Sequence, residues 1–278
     1  MARFVASTAF LFVVLIVMGA GWGITQPLSK IAVSEGYRHF GLVFWQMAIG
    51  AFALGMVQAW RKTPLRRDRA ALRVYLFIAL VGTVIPNSAS YEAIRHLPSG
   101  LVSILLALVP MFAFPIALML GNERFVLLRF GGLVLGLFGV LLIVGPEGSL
   151  PDRSMVLFVP LALIAPVFYG LEGNAVARWG TAGLSPLEVL FGASLLGAVL
   201  LFPVAVLTGQ FIDLRPPWGA PDLALLAASL VHVVVYTTYV WLVGRAGPVF
   251  AVQVSYLVTG FGVLWAMLIL GERYSGWV

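Results

Sequence analysis

The sequence predicts an all-α membrane protein with ten membrane-spanning helices, arranged as an inverted repeat of five plus five. Nine of these spans are complete in the chain. Three observations carry the prediction. The 278 residues are 61% hydrophobic and 10% charged, with a mean hydropathy of +1.03, whereas soluble domains carry about 25% charged residues. Long apolar runs follow one another with short loops between them, and the second half of the chain repeats motifs of the first.

The first apolar run is predicted to be a membrane span and not a signal peptide. Arg3 followed by apolar and small residues is typical of a signal peptide, but the run continues to Ala32, which is longer than a signal sequence needs. The net charge of +6 is expected in membrane-flanking loops, so no nucleic-acid partner is predicted. The lack of cysteine excludes disulfides, thiolate metal sites and cysteine nucleophiles.

A membrane-spanning helix needs about 20 mostly apolar residues. The chain contains nine such runs, which we number as spans one to nine. They are Thr8–Ala32, Gly41–Trp60, Val74–Ile94, Ser99–Leu120, Phe125–Val144, Met155–Arg178, Pro186–Thr208, Pro221–Val243 and Pro248–Leu270.

An internal repeat relates spans one to five to the spans that follow. The sequence LGNERF at 120–125 returns as LGERY at 270–274. Three residue pairs lie 149, 148 and 147 positions apart, and they are Glu123 with Glu272, Tyr91 with Tyr239, and Trp22 with Tyr169. We therefore predict two repeats, residues 1–149 and 150–278. The second repeat lacks a counterpart of span five, so we expect the natural protein to continue for one more span; a nine-span protein is the alternative.

The loop charges predict how the repeats are oriented. Residues 61–73 contain six Lys or Arg residues and one Asp, which marks the loop between spans two and three, and hence the N-terminus, as cytoplasmic. The equivalent loop of the second repeat, Gln210–Asp222, has a net charge of −1. A repeat of five spans inserts its second copy upside down, and such inverted repeats are typical of secondary transporters with a substrate site between them.

The residues also resemble a known family. The stretches YEAIRHLPSGLVS from Tyr91, LVPMF from Leu108 and GNER from Gly121 resemble the EamA-type repeat of the drug/metabolite transporter superfamily, and the second copy resembles it more weakly. The overall pattern is similar to that of a bacterial amino-acid exporter. The resemblance implies a ten-span carrier of the bacterial inner membrane that moves amino acids, drugs or similar metabolites without a cofactor.

Polar residues inside spans are the candidate substrate contacts, because polar groups are costly in a bilayer. Trp22 and Gln26 share one face of span one. Asn87 and Tyr91 continue a polar stripe that starts at Thr83 in span three. The predicted substrate-binding residues are Trp22, Gln26, Gln46, Asn87, Tyr91, Tyr169, Glu172, His232, Tyr236, Tyr239, Gln253 and Tyr256. For each of them, hydrogen bonding between packed helices is the structural alternative.

Two carboxylates receive different predictions. Glu172 lies well inside span six, where binding of a substrate amine and proton carriage stay open, as do two structural roles, an extension to the cytoplasmic interface and pairing with another span. Glu188 follows Ser185 and Pro186 in the pattern of a helix capping box, so its role is predicted to be structural.

The predicted function is export of small solutes, above all neutral or aromatic amino acids, by a monomer in contact with the lipid bilayer. A drug or other metabolite carrier is the nearest alternative. A polytopic membrane enzyme is the alternative from another class. The three scattered histidines and the absence of paired carboxylates predict neither catalytic residues nor a metal site.

Overall fold

The protein is a bundle of long apolar helices. A computed structural model describes residues 8–144 and 153–274, and every regular element in those ranges is helical. The α-helices are α1 (Thr8–Ser34), α2 (His39–Trp60), α3 (Arg69–Phe77), α4 (Ile85–His96), α5 (Ser99–Leu106), α6 (Val109–Met119), α7 (Leu127–Val144), α8 (Val159–Trp179), α9 (Pro186–Leu207), α10 (Ala220–Ala246), α11 (Pro248–Ala251) and α12 (Val254–Leu270). The prediction of an all-α membrane protein is confirmed.

Seven helical segments of the described ranges are long and apolar enough to cross a membrane. One is the continuous helix Arg69–His96, in which a π-helical segment, Ile78–Val84, joins α3 to α4. Another is Ser99–Met119, which α5 and α6 form together. Two shorter apolar helices, Phe130–Gly139 within α7 and Val254–Leu270, lie within the predicted spans five and nine.

Capping residues explain where several helices begin. The Asp68 side chain accepts a hydrogen bond from the backbone N–H of Ala71, so span three begins at Arg69, five residues before the predicted start. The predicted capping box is present at α9, where the Glu188 carboxylate accepts from the Ser185 N–H at 2.8 Å and Ser185 Oγ accepts from the Glu188 N–H at 3.4 Å. Span four is interrupted at Ala107 and Leu108, just before Pro110, which has no N–H to continue the helix.

The packing of the helices follows the internal repeat. Helix α1 packs mainly against α12 and α10, and its counterpart α8 packs mainly against α4 and α6. Helix α2 packs against its own counterpart, α9, and α5 packs against α12. The two main contacts of α1 therefore have equivalents in the two main contacts of α8, and the α2–α9 pair is its own equivalent.

Two close helix crossings repeat in detail. A Cβ atom added to Gly23 on α1 would lie 2.9 Å from the backbone nitrogen of Gly262 on α12. A Cβ atom added to Gly170 on α8 would lie 2.9 Å from the backbone nitrogen of Ala113 on α6. Gly170 follows Gly23 by 147 positions and Gly262 follows Ala113 by 149, the same offsets as in the sequence repeat. Small residues thus let equivalent helices approach closely in both repeats.

Candidate functional site

A cavity of about 180 Å³ lies at the centre of the bundle, where α1, α2, α4, α8, α10 and α12 meet. Ten of the twelve predicted substrate-binding residues line it. These are Trp22, Gln26, Gln46, Asn87, Tyr91, Tyr169, Glu172, His232, Tyr236 and Tyr239. The fold therefore brings polar and aromatic residues of both repeats, most of which the helical periodicity singled out, into one cavity lining.

One side of the cavity is a hydrogen-bonded network around Gln46. The Gln46 side-chain oxygen accepts from Asn87 Nδ2 at 3.1 Å and from the Tyr91 hydroxyl at 2.5 Å. Asn87 Oδ1 in turn accepts from the Tyr169 hydroxyl at 2.7 Å. Gln46 and Asn87 are buried, so these bonds satisfy groups that would otherwise be unpaired in an apolar environment. The network joins α2 and α4 of the first repeat to α8 of the second.

Another part of the cavity lining is aromatic. The Trp22 ring lies 5.4 Å from the Tyr239 ring, 6.1 Å from the Tyr236 ring and 6.4 Å from the His232 ring, measured between centroids. His232 and Tyr236 lie 5.3 Å apart in an edge-to-face arrangement. These spacings are typical of interacting aromatic rings. Trp22 of α1 therefore lies within ring-contact distance of three aromatic side chains of α10.

Glu172 on α8 is the one carboxylate among the described residues that line the cavity. Its Oε1 atom accepts a short hydrogen bond from the Tyr236 hydroxyl. The carboxylate lies against Gly82 in the π-helical segment, where an added Cβ would be 2.7 Å from Oε1 and 2.8 Å from the Tyr236 oxygen. Single turns of π-helix occur frequently at functional sites, and this one leaves room for a charged group at the cavity wall.

Several polar side chains that line the cavity make no hydrogen bond to the described part of the chain, and Gln26 and His232 are two of them. Gln26 and His232 both line the cavity and make none of the hydrogen bonds found among these residues. Such groups are free to bind a solute. The described residues contain no cluster of three or more His, Asp or Glu side chains arranged to hold a metal ion.

Gln253 and Tyr256 lie apart from the other ten predicted residues. Both are exposed on the outside of the bundle, Tyr256 to 53%, and neither lines the cavity. The helix breaks at Val252 and Gln253, and α12 then turns Ser255 and Val258 toward the cavity. The intervening Tyr256 points away because successive residues of a helix lie about 100° apart.

Small polar residues that the sequence reasoning missed also line the cavity. They are Thr25, Ser29, Ser90, Ser255 and Thr181. A signal was available for Ser29, which lies three residues after Gln26 and seven after Trp22 on the same helical face. Serine and threonine are common in packed membrane helices, so residue type alone did not single them out.

One end of the bundle, which we call the closed end, holds the turns after α1 and α4 and the loop before α10. No described residue of these three connections lines the cavity. Hydrogen bonds join the repeats here. Tyr37 donates to Asp222 at 2.5 Å, the Phe40 N–H donates to Gln210 at 3.0 Å, and Trp45 donates to the Ile212 carbonyl at 2.9 Å. Burial, with the hydrogen bond to Asp222, raises the pKa of Tyr37 to about 12.

Charged residues reinforce the closed end. Lys30 donates to the carbonyls of Ile94 and Leu97, at 2.7 and 3.2 Å, around the C-terminus of α4. Glu272, after α12, accepts from Ser99 Oγ at 2.8 Å and from the Ser99 and Gly100 N–H groups at 2.9 and 3.2 Å. A cation at a helix C-terminus and a carboxylate at an N-terminus both match the helix dipole.

The opposite end, the open end, holds the loops after α2 and α8. Here the cavity lining continues into the loop after α8 and includes Thr181. Arg66 donates to the carbonyl of Ala182 at 3.0 Å from an exposed position. Asn122 and Asn174 also join the repeats near this end, at 2.9 Å, but neither lines the cavity. The cavity therefore reaches the surface at the open end.

The comparisons with known proteins define the class. The profile of the EamA-like transporter family matches residues 8–145 and again residues 156–277. The chain belongs to this family, and the family resemblance predicted from the sequence is confirmed. It is a multi-pass membrane transporter whose partners are a small-molecule solute and membrane lipid.

Individual relatives are distant. The chain is 25% identical to the uncharacterized transporter YoaV of Bacillus subtilis over 65% of its length, and it spans 61% of the length of YoaV. It is 23% identical to a probable terminal-alkyne amino-acid exporter of Streptantibioticus cattleyicolor, over 90% of this chain and 82% of that protein. It is 21% identical to the uncharacterized inner membrane transporter YedA of Escherichia coli K12, over 91% of this chain and 81% of that protein.

A solved crystal structure supports the fold. The superposition covers 96% of this chain and 100% of the chain in that structure, with a TM-score of 0.58 and 18% sequence identity. At this identity the likeness concerns the fold alone.

Proposed function

We propose that this transporter exports amino acids, with neutral and aromatic side chains preferred, by alternating access around the central cavity. The observation that carries the proposal is the lining of that cavity. A carboxylate, an amide network and a set of aromatic rings from both repeats surround one cavity that is open at one end. Amide and hydroxyl groups suit the polar end of an amino acid, and the rings suit an apolar side chain.

The cavity size favours a metabolite over a drug. A volume of about 180 Å³ is smaller than the roughly 300–1,000 Å³ of pockets that hold drug-sized ligands. The amino-acid exporter among the distant relatives supports the same choice.

The charge pattern orients the cavity in the membrane. The basic loop between α2 and α3 lies at the open end, and basic loops of membrane proteins lie in the cytoplasm. The N-terminus is then cytoplasmic, and the repeats 1–149 and 150–278 have opposite orientations in a bacterial inner membrane. In this state, the cavity loads from the cytoplasm. Because one chain forms a complete cavity, we infer that the monomer is the transporting unit.

Counterflow in proteoliposomes tests this function. Vesicles preloaded with an unlabelled amino acid should accumulate the labelled one, and a screen of neutral and aromatic amino acids should give saturable exchange. Trp22→Ala and His232→Ala should lower exchange at least about tenfold, because each removes a cavity wall. Gln253→Ala and Tyr256→Ala, outside the cavity, should leave it unchanged. Full exchange in both cavity variants would contradict the proposed site, and exchange of drugs alone would contradict the proposed substrate.

A further inference from the structure

We infer that the cavity recognises its solute by an ammonium group and makes no matching site for a carboxylate. Amine-bearing solutes without a carboxylate, such as amino-acid amides and arylalkylamines, are then carried at least as well as free amino acids. This inference rests on the proposed function, because it concerns the substrate class of the same cavity.

The balance of charges in the lining is one-sided. Glu172 is the acidic residue there, and no Lys or Arg is found among the described residues that line the cavity. Lys30, on the same helix as Trp22, does not line the cavity and is bound to the carbonyls at the end of α4. A cationic solute thus meets an opposite charge, whereas an anionic group meets none.

The Glu172 carboxylate has one oxygen available. Tyr236 donates to Oε1, while Oε2 accepts no hydrogen bond from the described residues. An ammonium group is a donor, and its hydrogen bond to an ionised carboxylate is about twice as strong as one between neutral groups. Gly82 opens the wall beside this carboxylate, and Tyr236 fixes its position. The acceptor is therefore held in place before a solute arrives.

Aromatic rings surround the same point. Tyr236, the partner of Glu172, lies 6.1 Å from Trp22 and 6.5 Å from Tyr239 between ring centroids. Ring faces attract organic cations, and groups of two or three aromatic rings recognise ammonium groups in many proteins. A carboxylate next to such a cluster binds an ammonium group by two mechanisms at once.

A solute carboxylate would find weaker partners. Asn87 uses both ends of its amide, toward Gln46 and Tyr169, which leaves it little capacity for a solute. The free groups of the lining offer hydrogen bonds without a fixed positive charge, and among them are Gln26, His232, Ser90 and Tyr239. An anion taken out of water without a cationic partner is costly, and Glu172 repels it as well.

Three probes with the same phenyl side chain test the inference. They are L-phenylalanine amide, L-phenylalanine and 3-phenylpropanoate, and binding is measured on the purified full chain by isothermal titration calorimetry. We expect the amide to bind at least as tightly as phenylalanine and at least about tenfold more tightly than 3-phenylpropanoate. Labelled phenylalanine counterflow, with each compound as competitor, should give the same order.

Variants separate charge recognition from folding. Glu172→Gln keeps the shape of the side chain, so we expect it to remove the preference for the amide over 3-phenylpropanoate. Glu188→Gln, in the capping box of α9, should keep the preference. If Glu172→Gln fails to fold, Tyr236→Phe provides the second test, because the loss of its hydrogen bond should weaken amide binding and spare 3-phenylpropanoate.

Each outcome decides between the two proposals. Binding and transport of phenylalanine without binding of the amide would overturn the inference and leave amino-acid export intact. Binding of the amide without transport of any amino acid would overturn amino-acid export and leave the inference intact. Equal binding of the amide and 3-phenylpropanoate, or an unchanged preference in folded Glu172→Gln, would overturn the inference, as would no binding of any probe.

Discussion

The closed and open ends of the cavity differ in how the two repeats are joined. At the closed end, Tyr37, Phe40 and Trp45 of the first repeat bond directly to the second repeat. At the open end, the lining runs into the loop at Thr181, and the neighbouring bond from Arg66 to Ala182 is exposed. The two repeats share one fold, but the contacts that join them differ between the two ends of the cavity.

This difference indicates what must change during transport. A carrier alternates between two states, and the bonds of the closed end must break for the cavity to open there. Each such hydrogen bond contributes about 1 kcal/mol net. A few of them give a gap of a few kcal/mol, which a bound solute is able to shift. The closed end is therefore a small set of contacts that individual substitutions should weaken measurably.

Removing the charge of Glu272 is expected to have the largest effect on the closed end. Its carboxylate accepts three hydrogen bonds at the start of α5. We expect Glu272→Gln to lower the free energy of unfolding by about 2 kcal/mol, because charge-assisted bonds at a helix N-terminus are lost. Thermal unfolding in detergent measures this.

The matched control for Glu272 lies at the open end. Glu188→Gln should cost less than about 0.5 kcal/mol, because glutamine also serves in a capping box. If the two variants unfold at the same temperature, the contrast between the ends is wrong.

Removal of the Tyr37 hydroxyl is expected to have a smaller effect. Tyr37→Phe loses the hydrogen bond to Asp222, which should shift the balance toward opening of the closed end by about 1 kcal/mol, or about fivefold in population. The rate at which a cysteine placed at Ser90 reacts with a membrane-impermeant thiol reagent, added at the closed-end side, should rise accordingly. Tyr256→Phe, on the exposed face of α12, should not change that rate. A rate unaffected by Tyr37→Phe would remove Tyr37 from the closure.

The smallest expected effect is a dependence on alkaline pH. The pKa of Tyr37 is raised to about 12 from its ordinary value of 10. Because the folded state holds this proton more tightly, the stability that Tyr37 contributes is fully present below pH 10 and is lost as the pH rises through about 12. The difference in melting temperature between the wild type and Tyr37→Phe should shrink over this interval. A difference that stays constant to pH 12 would contradict the assignment.

Periodicity in the sequence predicted much of the cavity. Trp22 and Gln26 on α1, and Asn87 and Tyr91 on α4, lie on single helical faces, and the structure brings both faces to the cavity. The repeat in the sequence likewise predicted which helices are equivalent, and the crossings at Gly23 and Gly170 have the same offset.

Other features depend on tertiary packing and were not predictable. The break at Val252 and Gln253 turns Tyr256 outward, and no proline marks it in the sequence. The π-helical segment contains Gly82, which lies against Glu172 of α8 and Tyr236 of α10, and that contact is visible only in the folded structure. Gln46 had no polar neighbour at helical spacing on α2, and only the folded structure identifies it as the centre of a network.

Cysteine accessibility tests the central claim most directly, and the chain contains no cysteine of its own. Single cysteines at Thr181 and at Ser90, which both line the cavity, should react with a membrane-impermeant thiol reagent in inside-out vesicles. In intact cells both should react far more slowly. A transported solute should protect the cysteine at Ser90. Reaction at Ser90 in intact cells but not in inside-out vesicles would contradict a central transport cavity that opens to the cytoplasm.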